Sequence, residues 1–283
     1  MKKKILIAGK NSYIGNKIKL WINKRKPGYK VFHLDMRNSA WENFELQDID
    51  IVINVTGIAH KNEKTVDPEL YYKVNRDLAI KLAELSKEAG VSQYIFLSSM
   101  SVYGNITGEI SNNTLIKPNS NYGKSKFEAE QLLHQLDNSE FKICIIRPPM
   151  VYGKHAKGNY NKLSNFIKRF PVFPNVNNKR SMIYIDNLTE FIYQCIERDC
   201  NGVFCPQNTN LVSTKEMVNV IATMNNRKIF IIPNILGIFN VLIKNVEVFS
   251  KVLGDLYYNE SLEIPFEYNV VSFKESIEVT ECE

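Results

Sequence analysis

The sequence predicts an α/β fold in which a doubly wound parallel sheet over residues 1–150 is followed by a smaller lobe over residues 151–283. Three observations predict it. Short β-rich runs alternate with helical periodicity through the first 150 residues. The run Ile49–Val55 is almost continuously apolar, as strands covered on both faces are. A glycine turn, Gly9 to Gly15, joins the first run to the first helical pattern.

Taken in order, Lys4–Ala8 is a short apolar run stopped by Gly9, and Tyr13–Leu20 opens a helix with Ile14, Ile18, Trp21 and Ile22 inward. Lys30–Leu34 is a second strand ending at Asp35, and Ile49–Val55 a third. Pro68–Ala89 repeats apolar residues at Leu70, Val74, Leu78, Leu82 and Leu85 and closes at Gly90, the usual helix stop. Gln93–Leu97 is a strand, Tyr122–Leu136 a helix and Lys142–Ile146 a strand. After Pro148 the rhythm loosens, because Pro171, Pro174, Pro206 and Pro233 interrupt the remaining patterns. Some of these later segments are expected to return to the sheet. No repeat, low-complexity segment or linker stands out.

Composition is that of a globular chain, 44% hydrophobic and 23% charged, so disorder is excluded as a class. The net charge of +6 gathers partly in Lys17, Lys19, Lys24, Arg25 and Lys26, on or just after the first helix, and reads as a solvated face rather than a nucleic-acid surface. Five cysteines lack any close pair and any histidine at zinc-ligand spacing, so buried free thiols and no metal are expected. Ile5–Ala8 is too short for a secretory h-region, and the longest apolar tract, Ile229–Ile243, is broken and too short to cross a bilayer. The expectation is a cytoplasmic protein without stable membrane insertion. His60, His134 and His155 have no partners at triad or metal spacing, and no chemistry is assigned to them.

Between strand and helix, Gly9, Ser12, Tyr13, Ile14 and Gly15 stand where backbone amides and a helix N-terminus hold a pyrophosphate. Asp35 falls where a carboxylate takes the ribose hydroxyls of NAD, while Arg37 is placed to meet the 2′-phosphate of NADP, so both cofactors stay open.

Two later features suit hydride-transfer chemistry. Tyr122 and Lys126 sit four residues apart at the start of a predicted helix, which sets them on one face. A free tyrosine, with a pKa of about 10, is a poor base near neutrality, and a nearby ammonium favours its phenolate. Ser99, in Ser98-Ser99-Met100-Ser101-Val102-Tyr103-Gly104, lies at the C-terminal end of a predicted core strand, where open α/β sheets bind ligands. Ser99 is expected to hydrogen-bond the substrate oxygen beside Tyr122.

With these motifs the chain, from Lys3 to about Asp199, resembles the NAD-dependent epimerase/dehydratase group of extended short-chain dehydrogenases, whose fold is a Rossmann-type doubly wound sheet with a C-terminal substrate lobe. The family usually carries Gly-x-x-Gly-x-x-Gly in the first turn, and Ser12 replaces the middle glycine, where it would crowd or hydrogen-bond the pyrophosphate. By the resemblance, Asn54, Val55 and Thr56 line the cofactor cleft, Asn75 belongs to the Tyr72-Lys73-Val74-Asn75 helix motif, and Pro148 to the strand leading to nicotinamide and sugar. Arg180, in Arg180-Ser181-Met182-Ile183-Tyr184, matches the arginine that clamps the nucleotide diphosphate, and Asn159 adds a second contact.

The resemblance also narrows the reaction. The family's 4,6-dehydratases carry an Asp-Glu pair after the catalytic hydroxyl. Met100 and Ser101 occupy those positions here, which disfavours dehydration and leaves Ser101 as a substrate contact. What remains is chemistry at C4, with capsule- and O-antigen-type enzymes of UDP-N-acetylhexosamines as the nearest likeness. Reduction of a UDP-4-keto-(6-deoxy)-N-acetylhexosamine for surface polysaccharide precursors is the leading expectation, and a UDP-sugar 4-epimerase with tightly bound NAD the alternative. A catalytically silent NADP-binding sensor is the reading from another class, and the joint presence of Ser99, Tyr122 and Lys126 argues against it. A UDP-sugar is the expected partner, and a homodimer is left open.

Overall fold

Ile51–Asn54 and Gln93–Leu97 bury every side chain, which requires helices on both faces of the sheet that holds them. The computed structural model, which describes residues 2–59, 66–104, 107–233 and 254–282, sets these two runs in the middle of a six-stranded parallel sheet. In chain order the first half comprises β1 (Lys4–Ala8), α1 (Tyr13–Arg25), β2 (Lys30–Leu34), β3 (Ile51–Asn54), α2 (Pro68–Tyr72), α3 (Leu78–Glu88), β4 (Gln93–Leu97), β5 (Gly108–Ile110), α4 (Asn121–Leu136) and β6 (Lys142–Ile146). The second half comprises β7 (Met150–Tyr152), α5 (Asn159–Arg169), β8 (Val172–Pro174), β9 (Met182–Tyr184), α6 (Ile185–Glu197), β10 (Gly202–Phe204), α7 (Thr214–Met224), β11 (Phe230–Ile232), β12 (Leu256–Tyr258) and α8 (Phe273–Glu281).

The main sheet runs β10-β6-β4-β3-β1-β2, with Ile95 paired to Ile53 on one side and to Cys144 on the other. Successive side chains of each strand enter opposite layers. Leu6, Val52, Tyr94 and Phe96 meet Leu82, Ala83, Ala129 and Leu133 on the α3 and α4 side. Ile7, Ile53, Ile95 and Ile146 meet Ile18, Ile22, Leu188 and Phe191 on the α1 and α6 side. Each such fully buried aliphatic or aromatic side chain stabilises the fold by roughly 1.5–3 kcal/mol, so the apolar strand runs carry the architecture.

The pattern over Pro68–Ala89 predicts one helix, and the structure divides it. A π turn over Lys73–Asp77 joins α2 to α3 and carries the fully buried Asn75. Beyond Pro148 the main sheet takes its sixth strand from β10, parallel to β6. The three residues of β10 are exposed or half-buried, so no apolar run announces the strand. α6 returns onto α1 through Glu190, which accepts from Trp21 Nε1 at 2.7 Å and from Arg25 Nη2 at 2.9 Å.

The smaller lobe packs α5, α7 and α8 around Tyr160, Leu163, Ile221 and Ile277, beside the two-stranded pairs β7–β9 and β8–β11. Cys144, Cys195 and Cys205 are buried free thiols as expected, but Cys200 is half-buried and Cys282 exposed. Among the described residues no helix is long and apolar enough to cross a membrane, and no cluster of His, Cys, Asp and Glu could hold a metal ion. The part of the Ile229–Ile243 tract beyond Pro233 lies outside the described residues, as does His60.

Candidate active site

The site gathers at the C-terminal ends of β1, β3, β4 and β6, where the chain leaves the parallel sheet. Ser99 follows β4 in extended backbone and caps the short turn Met100–Tyr103, accepting from the Ser101 amide at 3.1 Å. Its hydroxyl donates to Ser101 Oγ at 3.1 Å, and Ser99 stands near enough to Tyr122 to pull the phenol's pKa down against burial. The close fit of this turn to α4 depends on Gly123, since a Cβ there would stand 2.5 Å from the Ser101 carbonyl oxygen. Ser120 caps α4 by accepting from the Gly123 amide at 3.0 Å, which places Tyr122 in the first turn.

Lys126 lies one turn further along α4 and is 3% exposed. Its ammonium donates to the Leu97 carbonyl at 2.8 Å and the Thr56 carbonyl at 3.4 Å, over the face of Phe96 at 4.4 Å. Burial pulls the Lys126 pKa down to about 7, against the opposing pull of Glu130. Burial holds the Tyr122 phenol above its ordinary value, with Ser99 acting the other way. In the free protein Tyr122 is a neutral phenol with its proton in place. Pro148 is buried at the end of β6, and its carbonyl accepts from the Met100 amide at 3.0 Å, fixing the serine turn from below.

The glycine turn sits beside this cluster. Gly9 adopts a φ of +115°, and a Cβ there would lie 3.1 Å from Val55 Cγ2, so Val55 floors the turn. Ser12 caps α1, accepting from the Gly15 amide at 3.0 Å. Its hydroxyl is thus turned toward the first turn of the helix. Ile14 packs its side chain between two core clusters. The Tyr13 hydroxyl and Thr56 Oγ1 are buried without a hydrogen-bond partner among the described residues, an arrangement that a polar ligand in the cleft would relieve.

Asp35 and Arg37 meet each other. Arg37 Nε donates to Asp35 Oδ1 at 2.8 Å, the Arg37 amide to the same oxygen at 3.1 Å, and Nη2 to Oδ2. The Arg37 hydrogen bonds bring the Asp35 pKa down to about 2. Asn54 and Asn75 are buried, and their side chains brace the loop after β3. Asn54 donates to the Tyr94 hydroxyl at 2.8 Å and accepts from the Thr56 amide at 2.9 Å. Asn75 accepts from the Ile58 amide at 2.8 Å and donates to Ser125 Oγ at 3.0 Å.

Arg180 is half-buried, with Nη1 donating to the Gly254 carbonyl at 2.7 Å. Burial lowers its pKa, opposed by Asp255. Asn159 is the first residue of α5. His134 and His155 are exposed. Sequence reasoning missed Gly123 and Glu130. Glu130 was findable, since it stands four residues beyond Lys126 on the same helix face. Tyr258, whose hydroxyl donates to the Arg147 carbonyl at 2.8 Å, carries no local signal.

Comparison with known proteins agrees with this geometry. The family model described as NAD dependent epimerase/dehydratase family matches residues 5–204. A UDP-glucose 4-epimerase of Vibrio cholerae is 31% identical over 231 residues, covering 78% of this chain and 68% of its own. An N-acetyl-alpha-D-glucosaminyl-diphospho-ditrans,octacis-undecaprenol 4-epimerase of Escherichia coli O157:H7 is 25% identical over 286 residues, covering 93% and 85%. Among solved structures, UDP-glucuronic acid 4-epimerase from Bacillus cereus in complex with NAD superposes with a TM-score of 0.75 at 18% identity, covering 98% of this chain and 97% of that one. The dTDP-4-dehydrorhamnose reductase from Bacillus anthracis in complex with NADP gives 0.69 at 23% identity, covering 82% and 84%. At those identities the structural likenesses speak for the fold, while the family rests on the matched residues 5–204. The chain belongs to the NAD dependent epimerase/dehydratase family.

Proposed function

We propose that this protein is a C4 epimerase of a hexose or N-acetylhexosamine carried on a diphosphate, using NAD or NADP as a resident hydride carrier. The observation that carries the reading is the gathering of Ser99, Tyr122 and Lys126 at the C-terminal end of β4, where Ser99 acts on the Tyr122 phenol against the pull of burial and Lys126 lies buried one turn beyond. The epimerase direction draws support from the relatives at 31% and 25% identity, both named as 4-epimerases.

The residues fit a dinucleotide: Tyr13, just after the glycine turn, and Thr56, just after β3, carry buried hydroxyls without a hydrogen-bond partner among the described residues. The turn would hold the pyrophosphate and Asp35 the ribose hydroxyls. When bound, the dinucleotide supplies a hydride acceptor and donor. The chain's own residues handle the proton. Ser99 orients the C4 oxygen toward Tyr122, whose phenol donates its proton as a ketone is reduced and takes it back as an alcohol is oxidised. Lys126 supplies the positive charge that favours the phenolate stage. Arg180 is a half-buried guanidinium with donors to spare, suited to a diphosphate, whichever group lies beyond it. Met100 and Ser101 offer no acid or base beside Ser99, so elimination of water lacks its catalysts.

Net reduction of a 4-keto sugar would use the same residues and differ in consuming coenzyme. Incubation with UDP-hexoses, UDP-N-acetylhexosamines and their 4-keto derivatives, with each coenzyme, tests the proposal. A C4-inverted product without coenzyme consumption supports epimerisation. Stoichiometric coenzyme loss on a 4-keto sugar replaces it with reduction, and no conversion of any sugar removes both.

A further inference from the structure

We propose that Glu130 is a positioning residue, the buried counter-charge of Lys126 and the tie that holds the catalytic helix against the ends of β4 and β6. This rests on the C4 oxidoreductase reading above. Lys126 and Glu130 stand one turn apart on α4, and each is 3% exposed. The hydrogen-bond partners of the ammonium, Leu97 and Thr56 carbonyls, are neutral, and a cation withdrawn from water needs an opposing charge nearby. Glu130 supplies it, working against the desolvation of Lys126.

The carboxylate is itself held from two strands. Arg147 donates from Nε to Oε1 at 3.1 Å and from Nη2 to Oε2 at 2.6 Å. The Ser98 hydroxyl donates to Oε1. Ser98 precedes Ser99, and Arg147 precedes Pro148, whose carbonyl fixes the serine turn. One carboxylate, a helical turn along α4 from Lys126, thereby links the residue before Ser99 to the end of β6. Arg147 is completed by the Tyr103 hydroxyl, which accepts from Nη1 at 2.9 Å, and by Tyr258, which donates to its carbonyl. Lys126, Glu130 and Arg147 together leave one surplus positive charge in the buried cluster, which a phenolate on Tyr122 would cancel. The other titratable groups facing the cluster are Tyr103, Cys205 and Tyr258.

The test compares Glu130→Gln and Glu130→Asp in the full chain. Gln keeps the size and loses the charge, leaving Arg147 to repel Lys126. Its kcat for the UDP-sugar should fall about tenfold more at pH 8.5 than at pH 6, as the basic limb moves acid by roughly one unit, with KM nearly unchanged. Asp, which keeps the charge, should restore the limb. Equal losses at every pH, or an Asp variant as displaced as Gln, would overturn the proposal. A second readout needs no turnover: the rise of melting temperature with pH that Lys126 produces should begin about one unit lower in Glu130→Gln. An unshifted rise overturns the pairing even where no sugar is converted, and that separates its failure from failure of the C4 reading.

Discussion

The Lys126 ammonium donates across 2.8 Å to the carbonyl of Leu97, which couples the helix that carries Tyr122 to the strand end that delivers Ser99. The same carbonyl closes β4, so the helix cannot rotate without breaking a charge-assisted bond in a buried place. The phenol and the serine hydroxyl are therefore set by the sheet rather than by a surface loop. On the proposed reading, a proton passes along a short fixed line between substrate oxygen and Tyr122.

Removing the phenolic hydroxyl tests the centre of that line. Tyr122→Phe should lose at least about 100-fold in kcat, the lower range of general acid-base help, while coenzyme binding, measured by fluorescence titration, stays within a few-fold. Turnover near that of the parent protein would sink the assignment.

Lys126 makes stability depend on pH. Its folded pKa of about 7 lies below the roughly 10.4 of a solvated lysine, so the unfolded chain binds this proton more tightly. The resulting penalty is full below about pH 7 and vanishes as pH rises toward about 10. Lys126→Met should therefore flatten the rise of melting temperature across that window, and an unchanged profile would contradict the buried, weakened ammonium.

The proposed reading puts coenzyme choice on the Asp35–Arg37 pair just beyond β2. Asp35→Asn removes the charge that folds Arg37 back on itself and frees the guanidinium for a 2′-phosphate. The ratio of kcat/KM for NADP over NAD should rise by about tenfold or more, the worth of one charge-assisted hydrogen bond. An unmoved ratio would place the ribose recognition elsewhere.

Arg180→Ala should raise KM for the diphosphate sugar by about 10- to 100-fold with a smaller change in kcat, in line with a hydrogen bond to a charged group. A KM equal to that of the parent would remove Arg180 from the substrate site.

Gly123→Ala sets a methyl group 2.5 Å from the Ser101 carbonyl oxygen. The serine turn must yield, at a cost of about 1–3 kcal/mol for overpacking, and kcat should fall through misplacement of Ser99. Thermal melting and turnover check the two effects, and a variant as stable and active as the parent would show that the turn has slack.

What the sequence alone determined is whatever follows from backbone geometry over a few residues. β1, β2, β4 and β6 lie at the limits their apolar runs suggest, and Tyr122 and Lys126 share a helix face because four residues make about one turn. Tertiary structure decided which atoms those side chains meet. The ammonium faces Leu97 and Thr56, Arg37 folds onto Asp35, and Asn54 and Asn75 brace the loop after β3. β10 joins the sheet with hardly any apolar pattern, and Tyr258 reaches Arg147 across 111 residues of chain. Periodicity is a local property of the backbone, whereas burial and hydrogen-bond partners depend on segments that only packing brings together.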